Sequence, residues 1–124
     1  MDKKTKRIAN VVVAAALLML FILPRSYLDG VCGQILQTSR EARQAVLENG
    51  DPGPVLTGME GIYERHAPKL RLFLDHGSVD ELGMAIVACT PLSDREALFS
   101  ALNEVEAAVE HLKSIETLST DSLF

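Results

Sequence analysis

The amino-acid sequence predicts an all-α protein, in which an N-terminal transmembrane helix is followed by a small antiparallel three- to four-helix bundle. Three observations predict it: an apolar run near the N-terminus, apolar residues at steps of three and four through the rest of the chain, and short connections that carry helix stop or start residues. Aromatic residues make up 5% of the chain and Trp is absent. We therefore expect a core of Leu, Ile, Val and Ala, as in helix bundles.

The 124 residues are enough for an anchor and one small domain. We expect a basic cytoplasmic tail at 1–7, a transmembrane anchor at 8–27, a helical bundle at 28–118 and a frayed tail at 119–124. The first seven residues hold four basic side chains against one acidic one, whereas the whole chain has a net charge of −5. The domain is therefore strongly acidic and would repel phosphate backbones, which argues against nucleic acid as a partner.

The predicted anchor begins with residues 8–23, IANVVVAAALLMLFIL, in which only Asn10 is polar. At ~1.5 Å per residue this run is about 24 Å long, slightly shorter than a ~30 Å hydrocarbon core. The residues up to Tyr27 supply the difference, with Arg25 snorkelling and Tyr27 at the interface. Pro24 is expected to bend the helix where it leaves the membrane.

A cleaved signal peptide is the alternative to an anchor, because it also has a basic start and an apolar run. Cleavage needs small residues just after the run, and the nearest candidate, Val31-Cys32-Gly33, lies well beyond its end. An uncleaved anchor is therefore favoured. Four basic residues precede the run and Arg25 alone follows it closely, so the positive-inside rule places the N-terminus in the cytoplasm and the acidic domain outside.

The domain begins with a helical stripe that starts directly after the anchor. Its members are Leu28, Val31, Cys32, Ile35, Ser39, Ala42 and Val46. Asn49-Gly50 is expected to stop this helix, and Asp51-Pro52 supplies a cap and a first-turn proline for the next.

The second predicted helix is interrupted by weak helix formers. Its apolar face is expected to hold Val55, Met59, Ile62, Tyr63, His66, Leu70, Phe73 and Leu74. Pro68 should kink it near Glu64. Gly58 and Gly61 either permit close packing or only loosen the helix, and the sequence leaves both alternatives open.

Two S-x-x-E patterns predict the starts of the last two helices. Ser78 with Glu81, and Ser93 with Glu96, match capping boxes. The third helix is short, ends at Pro91 and should bury Val79, Leu82, Ile86 and Cys89. The last helix has the clearest stripe: Leu98, Ala101, Leu102, Val105, Ala108, Val109, Leu112 and Ile115. Its outer, solvated face is expected to hold Glu104, Glu106, Glu110 and Lys113.

The segments LRLFLDHGSVDEL (70–82), EHLKSIETLSTDSLF (110–124) and ENGDP (48–52) resemble a bacterial membrane-anchored family, domain-of-unknown-function family 4363. Asp75-His76, Asp80 and Glu110-His111 stand where that family has its Asp-His pair, a following Asp and a Glu-His stretch. The resemblance implies a transmembrane segment with a helical domain, and no activity. The chain departs from the family at Gly58, Gly61, Pro68 and Pro91, where good helix formers are usual.

The polar residues best suited to metal binding or acid–base chemistry are Asp75, His76, Asp80 and His111. A hairpin of the last two helices would bring His76 and His111 near each other at the membrane-proximal end. Two imidazoles beside carboxylates suit a metal or a pH switch. No local spacing of the H-E-x-x-H kind supports a metal, so the structural alternative is favoured: Asp75 and His76 hold the turn by hydrogen bonds, with His111 packed beneath.

The other polar residues are expected to be structural. His66 should be a partly buried, hydrogen-bonded histidine, and Tyr63 a core residue. Cys32 and Cys89 lack a basic setting and are too far apart along the helices for a disulfide.

The sequence therefore favours a non-enzymatic helical module without a cofactor. Its expected partners are membrane lipid, through 8–27, and another membrane or extracytoplasmic protein. The alternative is a ligand- or metal-sensing domain that uses the Asp75, His76 and His111 region.

Overall fold

The computed structural model describes the backbone of residues 2–123 and the side chains of residues 2–18 and 25–115. In this part of the chain all regular structure is helical, in four helices: α1 (Lys3–Leu47), α2 (Gly53–Phe73), α3 (His76–Val87) and α4 (Arg95–Leu123). The predicted all-α class is confirmed.

The helices form a ring in which each packs against its neighbours. α1 lies against α2 and α4, and α3 lies against the same two helices on the opposite side. Across α1 and α4, Ser39 bonds Glu106 while Arg43, one turn later, bonds Asn103, so these helices are antiparallel. With short connections between successive helices, the arrangement is an up-down four-helix bundle.

α1 joins the apolar run to the first helix of the bundle without a break, and Pro24, where the sequence predicted a bend, lies inside it. Every described side chain from 2 to 18 is exposed, whereas one face is buried from Leu28 onward. The helix therefore has two environments along one axis. Pro68 likewise lies inside α2, which continues to Phe73.

Within the residues whose side chains the structure describes, no helix is both long enough and apolar enough to cross a membrane. Residues 19–24, which belong to the predicted anchor at 8–27, lie outside the described side chains.

The predicted stripes form one core. All stripe positions of α1 and α4 are buried or half-buried, and the third-helix positions Val79, Leu82, Ile86 and Cys89 are fully buried. The α2 stripe needs a correction, since Phe73 is 49% exposed while Leu56 and Ala67 are buried. Buried positions 56, 59, 67, 70 and 74 follow one face, and position 73 lies to the side of it.

The caps of α3 and α4 differ from the predicted capping boxes, because aspartates replace the serines as caps. Asp75 accepts from the backbone N–H of Ser78 at 3.3 Å, and Asp94 accepts from that of Ala97 at 3.2 Å. Asp caps a helix as well as Ser does and reaches the N–H three residues on. Ser78 itself lies inside α3 and is buried.

The predicted stop at Asn49-Gly50 is confirmed, and its geometry is a Schellman motif. Asn49 has φ 60°, its N–H bonds the carbonyl of Val46, and the N–H of Gly50 bonds that of Ala45 at 2.7 Å. α2 then begins at Gly53, whose N–H bonds the Asp51 carboxylate. The proline in its first turn is thus Pro54 rather than the expected Pro52.

The C-terminal segment was expected to be frayed from 119, and this stays a prediction; the backbone of α4 is helical to Leu123. The side chains of residues 116–124 lie outside the described residues.

Candidate functional site

Three members of the predicted polar constellation lie at the turn between α2 and α3, and each has a structural partner. Asp75 caps α3, as its contacts with Ser78 show. Nε2 of His76 lies 3.1 Å from the carbonyl oxygen of Arg71. The Arg71 guanidinium donates to Asp80 at 2.7 Å. Sequence reasoning missed Arg71, although a cation in the last turn of α2, nine positions before an acid in α3, was a usable signal.

His111 does not join this group. Ser39 of α1 is level with Glu106 of the antiparallel α4, so His111, five residues farther along α4, lies near the level of Gln34. His76 lies beyond the level of Tyr27, which contacts α2 at His66. The two imidazoles are thus separated by roughly 15 Å along the axis, and His111 is exposed instead of packed beneath the turn. Within the described residues, no group of three His, Cys, Asp or Glu side chains is placed to hold a metal.

His66 is half-buried between α1 and α2 and is hydrogen-bonded, as predicted. The Tyr27 hydroxyl contacts its Nδ1, and the two rings meet edge-on with centroids 5.4 Å apart. The ammonium of Lys69 lies 5.8 Å from the centroid of the Tyr27 ring. Burial lowers the pKa of His66 below its usual value, and the nearby charges of Arg65 and Lys69 lower it further. The surroundings of His66 therefore favour its neutral imidazole over the charged form.

Both cysteines are free and fully buried. Burial raises the pKa of Cys32 and of Cys89 to about 11. Since the thiolate is the nucleophile and the metal ligand, neither thiol is activated for chemistry at neutral pH.

One polar network links α1 to α4 inside the bundle. The hydroxyl of buried Ser39 donates to the Glu106 carboxylate at 3.0 Å, and Arg43 bonds the same carboxylate at 3.1 Å. Glu106 was expected on the solvated outer face of the last helix, and it instead faces α1. This network satisfies the buried hydroxyl, while the Arg43 and Glu106 side chains remain partly exposed.

The first exposed apolar surface is the N-terminal part of α1. Its large side chains are half to two-thirds exposed: Ile8, Val11, Val12, Val13, Leu17 and Leu18. A water-exposed strip of this size is unusual for a monomeric soluble domain and marks a contact surface.

A second apolar surface is a shallow groove of about 680 Å³ between α2 and α3, which we call the α2–α3 groove. It is lined by Tyr63, Asp80, Gly83, Met84, Val87 and Ala88. Met84 is 73% exposed and Val87 is 59% exposed, although α3 contributes three other apolar residues to the core. α3 thus has an apolar residue on its outer face as well as its inner face.

The floor of the α2–α3 groove depends on one glycine. The Tyr63 hydroxyl donates to the carbonyl of Val79 at 3.1 Å, and its ring lies across Gly83. A Cβ atom at position 83 would lie 2.7 Å from Cε1 of Tyr63, closer than real contacts allow. The sequence analysis did not single out Gly83. A small residue between Leu82 and Ile86 on a buried face was its only signal.

The glycines that the sequence did single out have no such neighbour. A Cβ atom at Gly58 or at Gly61 would meet nothing within 4 Å. Of the two alternatives left open above, close packing at these positions is therefore not supported, and α2 remains one helix through both glycines.

Two further features mark the ends of the bundle. At the end that faces the N-terminal part of α1, Leu72 is 78% exposed beside Phe73. At the opposite end, the α1–α2 and α3–α4 connections line an open cleft of about 670 Å³ over Leu56 and Leu98.

Comparison of the chain with known protein families, with curated proteins and with solved structures finds no match.

Proposed function

We propose that the chain is a single-pass membrane protein whose helical bundle is a non-enzymatic protein-interaction module on the outer face of the cell membrane. The observation that carries the proposal is the division of α1. Its N-terminal part exposes apolar side chains such as Val11, 68% exposed, while the same helix supplies fully buried Ile35 to the core. A segment that the bundle leaves uncovered and that water does not favour is suited to lipid.

The orientation follows from the charges beside the apolar run. Four basic residues lie within positions 1–7, and Arg25 is the cation closest after the run. The positive-inside rule favours an N-terminus in the cytoplasm and a C-terminal bundle outside. Membership of domain-of-unknown-function family 4363 belongs to the same proposal and is supported by the resemblance of the segments at 70–82 and 110–124.

The non-enzymatic assignment is supported by the state of the reactive groups. The two thiols are buried, and the polar groups at the α2–α3 turn are engaged in capping and in the Arg71–Asp80 ion pair. The second candidate is a ligand- or metal-sensing domain that uses Asp75, His76 and His111. The separation of roughly 15 Å between the two imidazoles along the bundle argues against it.

The α2–α3 groove is the docking surface of the proposed module, and its occupant is an amphipathic helix with an apolar face and basic flanks. Met84 and Val87 offer the apolar contact. α3 contains Asp80 and Glu81 but no Lys or Arg in HGSVDELGMAIV. Apolar anchors flanked by cations complement such a surface.

Reporter fusions after Phe124 test the anchor and its orientation in the full-length chain. A reporter active only outside the cytoplasm should be active, and one active only inside should be silent, with the chain in the membrane fraction. The opposite pattern would overturn the orientation, and recovery of the chain in the supernatant after alkaline extraction would overturn the anchor.

A photo-crosslinking residue tests the docking surface. Placed at Met84 in the full-length chain, it should yield an adduct whose crosslinked peptide is amphipathic and basic. The matched control places the same residue at Ser100, which is exposed on α4. Identical adducts from both positions, or an acidic crosslinked peptide at Met84, would contradict the proposed occupant.

A further inference from the structure

We infer that the α2–α3 turn is a second membrane contact, in which Leu72 and Phe73 enter the bilayer interface beside the anchor. This inference rests on the proposed anchor and deepens it, because it assigns a lipid contact to a part of the bundle itself. Its partner is a phospholipid surface: acyl chains for the two apolar side chains and phosphate groups for the cations around them.

The register of α1 and α2 fixes the level of the turn. Tyr27 on α1 contacts both His66 and Lys69 on α2. From these residues α2 continues to Phe73 at its C-terminal end. Since the helices are antiparallel, a rise of ~1.5 Å per residue carries Phe73 about 6–10 Å toward the N-terminal part of α1. Phe73 is thus level with roughly residues 20–23 of α1, within the apolar run at 8–23.

The overlap leaves little apolar helix beyond the bundle. Between residue 8 and the level of the turn, α1 extends only about 18–22 Å, whereas a hydrocarbon core is ~30 Å thick. Because α1 is one continuous helix, its apolar run cannot enter the bilayer fully without the turn following it. Local thinning of the bilayer can supply part of the missing length, and entry of the turn into the interface supplies the rest.

The side chains at this end suit an interface. Leu72 is 78% exposed and Phe73 is 49% exposed at the tip of α2. Arg65 and Lys69 precede them on the same helix, one to two turns farther from the membrane, and both are exposed. The order of apolar residues followed by cations repeats that of α1, where Arg25 follows the apolar run. In a bilayer interface the acyl chains lie deeper than the phosphate groups. Apolar residues followed by cations therefore match the order of the lipid groups that they would contact.

The polar groups of the turn already have partners, which favours shallow entry of the turn into the bilayer interface. Asp75 is bonded to Ser78 and His76 to the carbonyl of Arg71. The Arg71 side chain forms an ion pair with Asp80. Polar groups that already have partners cost less to move from water toward the headgroups than unpaired ones.

A tryptophan probe can test the contact, because the chain contains no Trp of its own. Phe73→Trp in the full-length chain, reconstituted in vesicles of phosphatidylcholine with phosphatidylglycerol, gives a single fluorophore at the turn. The control is Leu47→Trp, 53% exposed at the far end of α1. We expect brominated acyl chains to quench the fluorophore at 73 at least several-fold more than that at 47, together with a blue-shifted emission.

Flotation of the same vesicles separates failure of this inference from failure of the anchor. A chain that floats while positions 73 and 47 are quenched equally would overturn the second contact and leave the anchor intact. A chain that does not float would overturn both. Leu72→Trp, at the more exposed position, repeats the measurement, and the far-ultraviolet circular dichroism spectrum of each variant establishes that the bundle is folded.

Discussion

At the scale of single residues, Gly83 decides the shape of the α2–α3 groove. Gly83→Ala would push the Tyr63 ring away from α3 and break its hydrogen bond to Val79. Overpacking costs about 1–3 kcal/mol, and Ala in place of Gly in a helix returns at most about 1 kcal/mol. We therefore expect a net loss of roughly 1 kcal/mol in the free energy of unfolding, measured by urea denaturation.

The matched control for Gly83→Ala is Gly58→Ala. Open space surrounds the position of the added methyl group, so the helix preference of Ala should stabilise the protein by about 0.5–1 kcal/mol. If both variants shifted the midpoint in the same direction, the contact between Tyr63 and Gly83 would not limit the packing of α3.

His66 makes stability depend on pH. Burial, with Arg65 and Lys69, lowers its pKa in the folded state, so folding favours the neutral imidazole. The contribution is fully present above the unfolded pKa of about 6.5 and is lost as pH falls toward the folded-state pKa. We expect the melting temperature to decrease between pH 7.5 and 5, and to decrease less in His66→Gln.

His111→Gln is the control for the pH dependence, because His111 is exposed on α4. It should leave the slope of melting temperature against pH as in the parent protein. If His66→Gln had the same slope of melting temperature against pH as the parent protein, the pH dependence could not be assigned to His66.

Partners of single side chains were only partly predictable from the sequence. The intermediate burial of His66 followed from its place on an apolar face. Its bond to Tyr27 did not, because the partners are 39 positions apart and belong to helices whose register the sequence does not specify. The same lack of register led to the expectation that His76 and His111 lie together.

At the scale of elements, the apolar stripes were the most predictable feature, since the 3.6-residue period is a property of each helix alone.

The most direct test of the α4 stripe is Leu102→Asp. Leu102 is fully buried, so an unpaired charge there should reduce the free energy of unfolding by roughly 3 kcal/mol or more. Ser100→Asp, on the exposed side of the same helix, should stay within about 0.5 kcal/mol. Equal effects of the two substitutions would mean that α4 has been assigned the wrong buried face.

Element ends were less predictable than element faces. Asp75 and Asp94 were both close to the predicted serine caps, and either type of residue can cap a helix. The stop at Asn49 was predictable because Asn adopts the left-handed conformation more readily than most residues. The continuity of α1 past Pro24 was not predictable from the sequence. A proline indicates only a local preference, whereas the packing of the bundle also favours or disfavours continuation of the helix.

At the scale of the whole molecule, the bundle should fold without the apolar run. Every described side chain of residues 2–18 is exposed, so this part supplies nothing to the core. We expect a fragment of residues 25–124, which retains the contact between Tyr27 and His66, to be helical and to unfold cooperatively. Circular dichroism and thermal melting check this. A fragment that is helical but melts without a cooperative transition would show that the core needs more of α1 than the structure indicates.

Helix number, order and antiparallel pairing were largely predictable, because short connections leave few other arrangements. The level at which one helix passes another was not. It depends on which side chains interlock across the core, and a sequence pattern describes each face separately.

The continuous α1 has a consequence for how this molecule would meet a partner. With the proposed anchor in a membrane, a flexible linker would let the bundle sample a hemisphere of positions above that membrane, whereas a continuous helix would hold it at one height. Met84 lies eight residues after His76 along α3, which places the α2–α3 groove only about 12 Å from the turn. A binding partner held in the same membrane would already be at that height. Its search would then run in two dimensions, at an effective concentration that a freely diffusing protein does not reach.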